Sequence, residues 1–144
     1  MASSPDSAAA LEQTVAAYND AWNAHDLDAI MTMHAPDMVF HNHTAGESAQ
    51  GAEVRGHIGA IFESWPDINF TARRMYYRDA LVVQEWTATA THAREARRGD
   101  IVIPPTGRTI VWDGMDVIPF EHGLVKRKDV YSDSVSVLKQ LGLL

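Results

Sequence analysis

Hydrophobic residues recur at helical spacing in the first half of the chain. A first helix is predicted over about 7–24, because residues spaced four and three positions apart share one face there: Leu11, Val15, Tyr18 and Trp22. Asp26 is suited to cap a second short helix, whose inward residues are Leu27, Ile30 and Met31. Pro36-Asp37 is expected to end that helix. A third helix is predicted to stop at Pro66 and to present one apolar face made of Val54, Ile58, Ile61 and Phe62.

In the second half of the chain, hydrophobic and polar residues alternate with the two-residue period of a strand. Strands are predicted over 38–43, 68–77, 81–92, 109–120 and 124–132, with hairpin turns at 78–80 and 121–123. The Gly-, Ser- and Ala-rich segment 44–52 is predicted as a loop, and 134–141 as a short closing helix. Helices followed by antiparallel strands indicate an α+β fold in which the helices pack on one face of a curved sheet.

The length of 144 residues is typical of one domain. Residues 1–7 are expected to form a mobile tail, and 8–144 a single domain without internal repeats. The N-terminus has neither the basic region nor the apolar core of a secretory signal.

Composition narrows the class of partner. The formal net charge of −7 argues against nucleic-acid binding, which needs a basic surface. There is no cysteine, so a disulfide framework and thiol chemistry are excluded, and no apolar stretch approaches the roughly 20 residues of a membrane span. We therefore expect a cytoplasmic protein without membrane or nucleic-acid partners.

The two faces of the last hairpin follow from its register. If Phe120 pairs with Leu124, Asp116 lies opposite Lys128 and Gly114 opposite Val130. One face then carries Trp112, Gly114, Asp116, Ile118, Phe120, Leu124, Lys128 and Val130, and the other carries Val111, Asp113, Met115, Val117, Val125, Arg127, Asp129 and Tyr131. Both faces are half apolar, so this pattern does not by itself choose the inner one. Burial of Asp116 would favour its neutral form, whereas Lys128 would favour the ionised form.

Two segments of the chain are distinctive. The opening segment is YNDAWNAHDLDAIMTMHAPDMVFHNH, and the closing segment includes PPTGR and a terminal QLG. Both segments resemble the nuclear transport factor 2-like superfamily, in its branch of SnoaL-like polyketide cyclases, ketosteroid isomerases and limonene epoxide hydrolases. The similarity extends from about 11 to 142. It implies a cone-shaped fold built around one cavity.

The resemblance implies that Asp116 points inward with Tyr18 beside it, since the matching positions form the oxyanion hole of ketosteroid isomerases. The base of those enzymes matches Asn42 here, and an amide cannot abstract a proton. SnoaL-type cyclases have an acidic residue at the Val130 position and a histidine at the Asp116 position. A one-residue bulge would be needed to turn Asp129 inward at the Val130 site.

Epoxide hydrolases of the limonene type also carry an asparagine at the Asn42 position. Their acid–base carboxylates match Ala88 and Val130, and the arginine between them matches Trp86. The chain therefore contains parts of three catalytic patterns and the whole of none.

Four residues are the candidates for catalysis: Asp116, Tyr18, Asn42 and Asp129. The predicted substrate-binding residues are Phe40, Trp86, Trp112, Ile118, Lys128 and Val130. His41 and His43 have a spacing that can hold a metal, with His92 as a third ligand. Surface histidines are commoner than metal sites, so no metal and no organic cofactor is predicted.

The leading hypothesis is a cofactor-independent enzyme of cyclase or isomerase type. It would act by acid–base chemistry on an apolar carbonyl compound, such as a polyketide, steroid or terpenoid. The alternatives are an epoxide hydrolase of the limonene type and a non-catalytic binding protein for hydrophobic small molecules. A homodimer is expected through the face with Met115, Val117, Val125 and Tyr131.

Overall fold

The computed structural model describes residues 5–98 and 100–144. The described helices are α1 (Pro5–Asn23), α2 (Leu27–Thr32), α3 (Glu53–Ser64) and α4 (Ser134–Gln140). The described strands are β1 (His34–Asn42), β2 (Glu47–Gln50), β3 (Asn69–Arg78), β4 (Leu81–Thr91), β5 (Ala96–Arg98), β6 (Ile101–Ile103), β7 (Thr109–Glu121) and β8 (Leu124–Ser132).

Six strands form one curved sheet in the order β2-β1-β8-β7-β4-β3. All neighbouring pairs are antiparallel except β1 and β8. The strands β5 and β6 form a separate small ribbon. The N-terminal helices lie on the concave face, as the sequence predicted, and a short helix ends the chain. This confirms the α+β cone-shaped fold.

The core forms where the apolar stripe of α1 meets the sheet. Val15, Tyr18 and Trp22 are all buried, and Trp22 packs against the rings of Phe40 and Phe70. Asp26 caps α2 as predicted, since its Oδ1 accepts a hydrogen bond from the backbone N–H of Ala29 over 3.1 Å.

Three predicted boundaries need correction. The helix before Pro36 already ends at Thr32, and β1 runs through Pro36 with an irregular register between His34 and Val39. The predicted loop 44–52 contains β2, which pairs with β1. Residues 5–7 of the predicted tail belong to α1, and residues 1–4 lie outside the described residues.

The last hairpin also differs from its predicted register. Glu121 pairs with Leu124, so the turn holds only His122 and Gly123, whose φ angles of 54° and 75° are typical of a two-residue hairpin turn. The first hairpin likewise has a two-residue turn, since Arg78 pairs with Leu81.

Beyond the turn, an irregularity between Val117 and Phe120 shifts the pairing. Asp116 lies opposite Val130 instead of Lys128, and Gly114 opposite Ser132 instead of Val130. The shift is two residues, so Asp116, Lys128 and Val130 still share one face. Close to the turn, the residues of β8 point to the opposite faces from those predicted. Val125 is therefore buried in the core and not on the outer face.

The PPTGR and QLG motifs have structural roles. In the first, Arg108 donates from its guanidinium to the carbonyl of Gln140 over 2.8 Å. The Gln140 amide in turn pairs with both backbone groups of Val111 on β7. Together these bonds hold α4 against the sheet. None of the helices in the described ranges is long and apolar enough to cross a membrane.

Candidate active site

A cavity of about 870 Å³ lies between the concave face of the sheet and helices α1, α3 and α4. All four tryptophans of the chain line it, together with other aromatic and aliphatic residues: Trp22, Trp65, Trp86, Trp112, Phe40, Phe70, Ile61 and Val130. Several polar side chains also reach the wall, among them Asn19, Asn42, Gln84, Asp116 and Lys128. The site therefore combines a large aromatic surface with a small polar group.

Asp116 is at the centre of that polar group. It comes from β7 and is buried, with one oxygen, Oδ2, facing two partners. Gln84 donates to Oδ2 from Nε2 over 3.0 Å, and the Lys128 ammonium lies 3.7 Å from the same atom. Both partners suit a carboxylate, because one is an N–H donor and the other is a cation.

The other oxygen of Asp116 has no partner. Its Oδ1 is buried and accepts no hydrogen bond from any described residue. A buried acceptor left unpaired costs about 1–3 kcal/mol. Asp116 lines the cavity, so this oxygen, unpaired among the described residues, belongs to a side chain that a ligand in the cavity would contact.

Gln84 is itself held in place by Asn19 of α1. The Asn19 amide donates to Gln84 Oε1 over 2.9 Å, while Gln84 Nε2 also donates to Asn19 Oδ1 over 3.2 Å. This reciprocal pair orients the Gln84 amide so that its NH₂ group faces Asp116. The helix thereby sets the position of a group on the sheet.

Lys128 projects from β8 into a group of aromatic rings. Its Nζ lies 3.8 Å from the centroid of the Trp22 ring, 4.9 Å from that of Tyr18 and 6.0 Å from that of Phe40. Burial lowers the pKa of the Lys128 ammonium, and the negative charge of Asp116 partly offsets this. The ring faces also favour a cation there.

Tyr18 lies in the core, not on the cavity wall as predicted. Its side chain is fully buried and its hydroxyl is hydrogen-bonded to His34 Nε2 over 2.9 Å. Burial raises the pKa of Tyr18 above its ordinary value, so the phenol keeps its proton. Tyr18 contributes to the site through its ring, which lies under Lys128.

His34 is a neutral imidazole near neutral pH. Burial, assisted by the nearby charge of Lys128, lowers its pKa to about 4. Its Nε2 is bonded to Tyr18, and its buried Nδ1 has no partner among the described residues.

Asn42 lines the cavity as predicted, but its amide oxygen is already used. Oδ1 accepts a hydrogen bond from the backbone N–H of Ala45 over 3.1 Å, which stabilises the turn after β1. Of the catalytic candidates, Asn42 and Asp116 line the cavity and Tyr18 does not.

Most of the residues predicted to bind substrate reach the cavity. Phe40, Trp86, Trp112, Lys128 and Val130 line it. Ile118 does not, because it is fully buried in the core below Asp116 on the same strand.

Asp129 lies on the outer face of the sheet and does not reach the cavity. Its carboxylate receives two hydrogen bonds from Arg127, both of 2.8 Å, and a third contact of 2.7 Å from His43 Nε2. The bonds from Arg127 are the main reason that its pKa falls to about 2. The register has no bulge that turns Asp129 inward beside Val130, since Asp116 and Val117 pair regularly with Val130 and Asp129.

On the same outer face, His41, His43 and Asp129 bring three potential metal ligands within 4.8 Å of one another. His92, the third ligand considered from the sequence, is elsewhere and is hydrogen-bonded through Nδ1 to Thr106. The Arg127 guanidinium already binds both oxygens of Asp129, so this donor set does not favour a cation.

Sequence reasoning missed Gln84, Asn19 and His34. Strand alternation offered one signal, because Gln84 shares a face with the apolar Val82, Trp86 and Ala88. A long polar residue in a buried row needs a partner, and the partner could not be named without the fold.

The fold and cavity define a cone-shaped pocket protein of the nuclear transport factor 2-like class. The chain belongs to the SnoaL-like domain family, whose model matches residues 15–128. Among curated proteins, none shows a significant sequence match.

Solved structures similar to this chain include AclR from Streptomyces galilaeus, a proposed hydroxylase. It is 23% identical, with a TM-score of 0.82 over 96% of this chain and 88% of that one. IdmH from Streptomyces antibioticus, a proposed polyketide cyclase, is 26% identical, with a TM-score of 0.78 over 92% and 98% of the two chains.

A proposed SnoaL-like polyketide cyclase from Jannaschia sp. CCS1 is 18% identical, with a TM-score of 0.81 over 100% and 99% of the two chains. The family match confirms the SnoaL-like branch that the sequence resembled, and the solved structures show the same fold.

Proposed function

We propose that this protein is a cofactor-independent enzyme that performs acid–base chemistry on an apolar carbonyl compound of polyketide, steroid or terpenoid type. The observation that supports this most directly is the position of Asp116 on the wall of an aromatic cavity, with an Oδ1 that accepts no hydrogen bond from the described residues. A carboxylate oxygen held there without a protein donor is available to remove a proton from carbon next to a substrate carbonyl.

The surroundings of Asp116 fit this role. Gln84 and Lys128 occupy Oδ2, which orients the carboxylate and leaves Oδ1 without a donor among the described residues. The rings of Trp86 and Trp112 suit a flat hydrocarbon skeleton. Sugars and phosphates fit poorly, because most of their polar groups would lose hydrogen bonds on entering.

The non-catalytic alternative uses the same cavity. A binding protein would pair Oδ1 of Asp116 with a ligand hydroxyl and would transfer no proton to or from carbon. The epoxide hydrolase alternative has weaker support. The Asn42 amide oxygen already accepts a hydrogen bond in a turn, and Ala88, at the position of a hydrolase carboxylate, is buried in the core and has no acidic group.

The test measures proton removal without knowledge of the natural reaction. 2-Tetralone, a flat bicyclic ketone with acidic C–H groups, is incubated with the protein in D₂O, and exchange at the α-carbons is followed by NMR. The wild type should accelerate exchange, and Asp116→Asn should reduce that acceleration by on the order of a hundredfold or more.

Asp129→Asn is the matched control, since it removes an aspartate of the neighbouring strand that faces away from the cavity. It should leave exchange within about threefold of wild type. Quenching of the four cavity tryptophans reports binding separately. Binding without exchange would favour the non-catalytic alternative, and loss of exchange in Asp129→Asn alone would show that the site is assigned to the wrong face.

We also propose that the protein is a homodimer formed through the outer face of the sheet. Val111 and Tyr131 are exposed there beside the half-buried Met115 and Val117. Val125, originally expected on this surface, is part of the core and takes no part.

A further inference from the structure

We propose that Lys128 is a nucleophile of the cavity, and that its Nζ forms an imine with the carbonyl carbon of the ligand. This inference rests on the proposed function, because it concerns the same carbonyl ligand. It adds a covalent step, which acid–base chemistry by Asp116 alone does not require.

The first support is the placement of Lys128. A lysine is rarely buried, since its charge is costly to remove from water and its flexible stem normally reaches the surface. Lys128 is only 6% exposed, yet it lines the cavity wall. The other two lysines of the chain, Lys126 and Lys139, are exposed. An amine buried in an apolar cavity has the environment in which lysines form imines with carbonyl compounds.

The second support is a neighbouring proton acceptor. Lys128 Nζ lies 3.7 Å from Asp116 Oδ2, which is an ion pair but is longer than a hydrogen bond. A dry ligand that fills the cavity lowers the local dielectric and makes separate charges costlier. Transfer of one proton from Nζ to the carboxylate then yields a neutral pair, with a lone pair on nitrogen.

The aromatic rings oppose that transfer in the empty cavity, because the Trp22 ring favours the ammonium. Burial acts in the other direction and lowers the pKa of Lys128. In our proposal, ligand binding shifts the balance between these effects towards the free base.

The chemistry balances without any other reactant. The Nζ lone pair forms a C–N bond to the carbonyl carbon, and the carbonyl oxygen takes the proton from Asp116. The resulting carbinolamine loses its hydroxyl as water with one further proton, which leaves an iminium on Lys128. Asp116, again a carboxylate, removes the α-proton and leaves an enamine. The enamine carbon forms a C–C bond to a second carbonyl carbon of the ligand, the oxygen of that carbonyl takes the proton back from Asp116, and the nitrogen becomes an iminium again. Addition of water to the iminium releases the product and restores the amine.

The experiment traps the iminium by reduction. The full-length protein is incubated with 2-tetralone and sodium cyanoborohydride, digested, and analysed by peptide mass spectrometry. Lys128 should gain the mass of the ketone minus one oxygen atom, at a rate at least tenfold above that of Lys126 or Lys139. Lys128→Arg should abolish the trapped adduct, and Asp116→Asn should slow its formation at least tenfold.

Lys126→Arg and Lys139→Arg are the matched controls, because both residues are exposed outside the cavity and should leave trapping unchanged. Circular dichroism and tryptophan quenching by tetralone verify that each variant folds and binds. Equal labelling of all three lysines, or no label on a wild type that binds tetralone, would overturn the inference.

Failure of this inference can be separated from failure of the proposed function. If wild type and Lys128→Arg exchange the α-protons equally fast and no adduct is trapped, Asp116 acts as a simple base and the imine is excluded. If tetralone binds without either exchange or trapping, both proposals fail.

Discussion

Gln84 and Asp116 lie directly opposite each other on β4 and β7, and the Gln84 Nε2 group donates to Asp116 Oδ2 over 3.0 Å. The bond determines which carboxylate oxygen is free, because it occupies Oδ2 on the side of Asn19 and Lys128. Gln84 is therefore a positioning residue for the proposed base.

Replacement of Gln84 should affect turnover more than binding. In Gln84→Leu the Asp116 carboxylate loses the hydrogen bond that the Gln84 amide donates to it. A hydrogen bond to a charged group contributes about 1.5–3 kcal/mol. We expect kcat for α-proton exchange to fall about ten- to hundredfold with KM nearly unchanged. Thr87→Val is the control. Thr87 lies on the same strand as Gln84 but on the opposite face of the sheet, where it donates a hydrogen bond to Asp113 of β7. A rise in KM with an unchanged kcat would mean that Gln84 only shapes the cavity.

The stability of the fold should decrease in acid because of His34. Its pKa is about 4 in the folded state, below the ordinary value of 6.5, so the unfolded chain binds the proton more tightly. The contribution of neutral His34 is complete above pH 6.5 and is lost as the pH falls towards 4, by up to about 1.4 kcal/mol per pH unit. Urea unfolding between pH 4 and pH 7 measures this slope.

His34→Gln should flatten that slope, and His122→Gln should not, because His122 is exposed in a turn. An equal slope in wild type and His34→Gln would show that other groups cause the acid sensitivity.

Gly114 should tolerate no side chain. A Cβ at this position would overlap the Trp86 indole, which packs on the glycine from the neighbouring strand. Gly114→Ala should lower the free energy of unfolding by about 1–3 kcal/mol, because the indole must move. Chemical denaturation tests this.

Gly56→Ala provides the comparison on α3, where no atom lies within 4 Å of the added methyl group. It should be neutral or stabilise by up to about 1 kcal/mol, since alanine favours the helix. Equal effects of the two substitutions would contradict the packing explanation for Gly114.

The outer face of the sheet should mediate dimerisation. Sedimentation velocity at micromolar concentration should show a dimer for the wild type and a monomer for Tyr131→Asp, because a charge at a two-fold interface is buried in both copies. Val135→Asp, at an exposed position on α4, should remain dimeric. A monomeric wild type would exclude this interface.

Periodicity in the sequence was sufficient to predict the longer helices and strands of the fold. The steps of four and three in α1 predicted its inner face, and the alternation in β7 and β8 predicted which side chains share a face, because helices and strands repeat their side-chain directions regularly. The family resemblance then indicated which face of the hairpin points inward. The strand β2 was missed because its four residues are too few to show an alternation among Gly, Ser and Ala.

The sequence alone thus determined that Asp116 and Lys128 face the same side, since the error of two residues in the register left their alternation unchanged. Only the tertiary structure decided their partners. Tyr18 and Asp116 both point inward, yet the Tyr18 hydroxyl is bonded to His34, while Asp116 lines the cavity and has one oxygen that no described residue pairs. Such pairings join residues far apart in the chain, such as Asn19 and Gln84, and depend on how the helix packs on the sheet. Local periodicity contains no information about that packing.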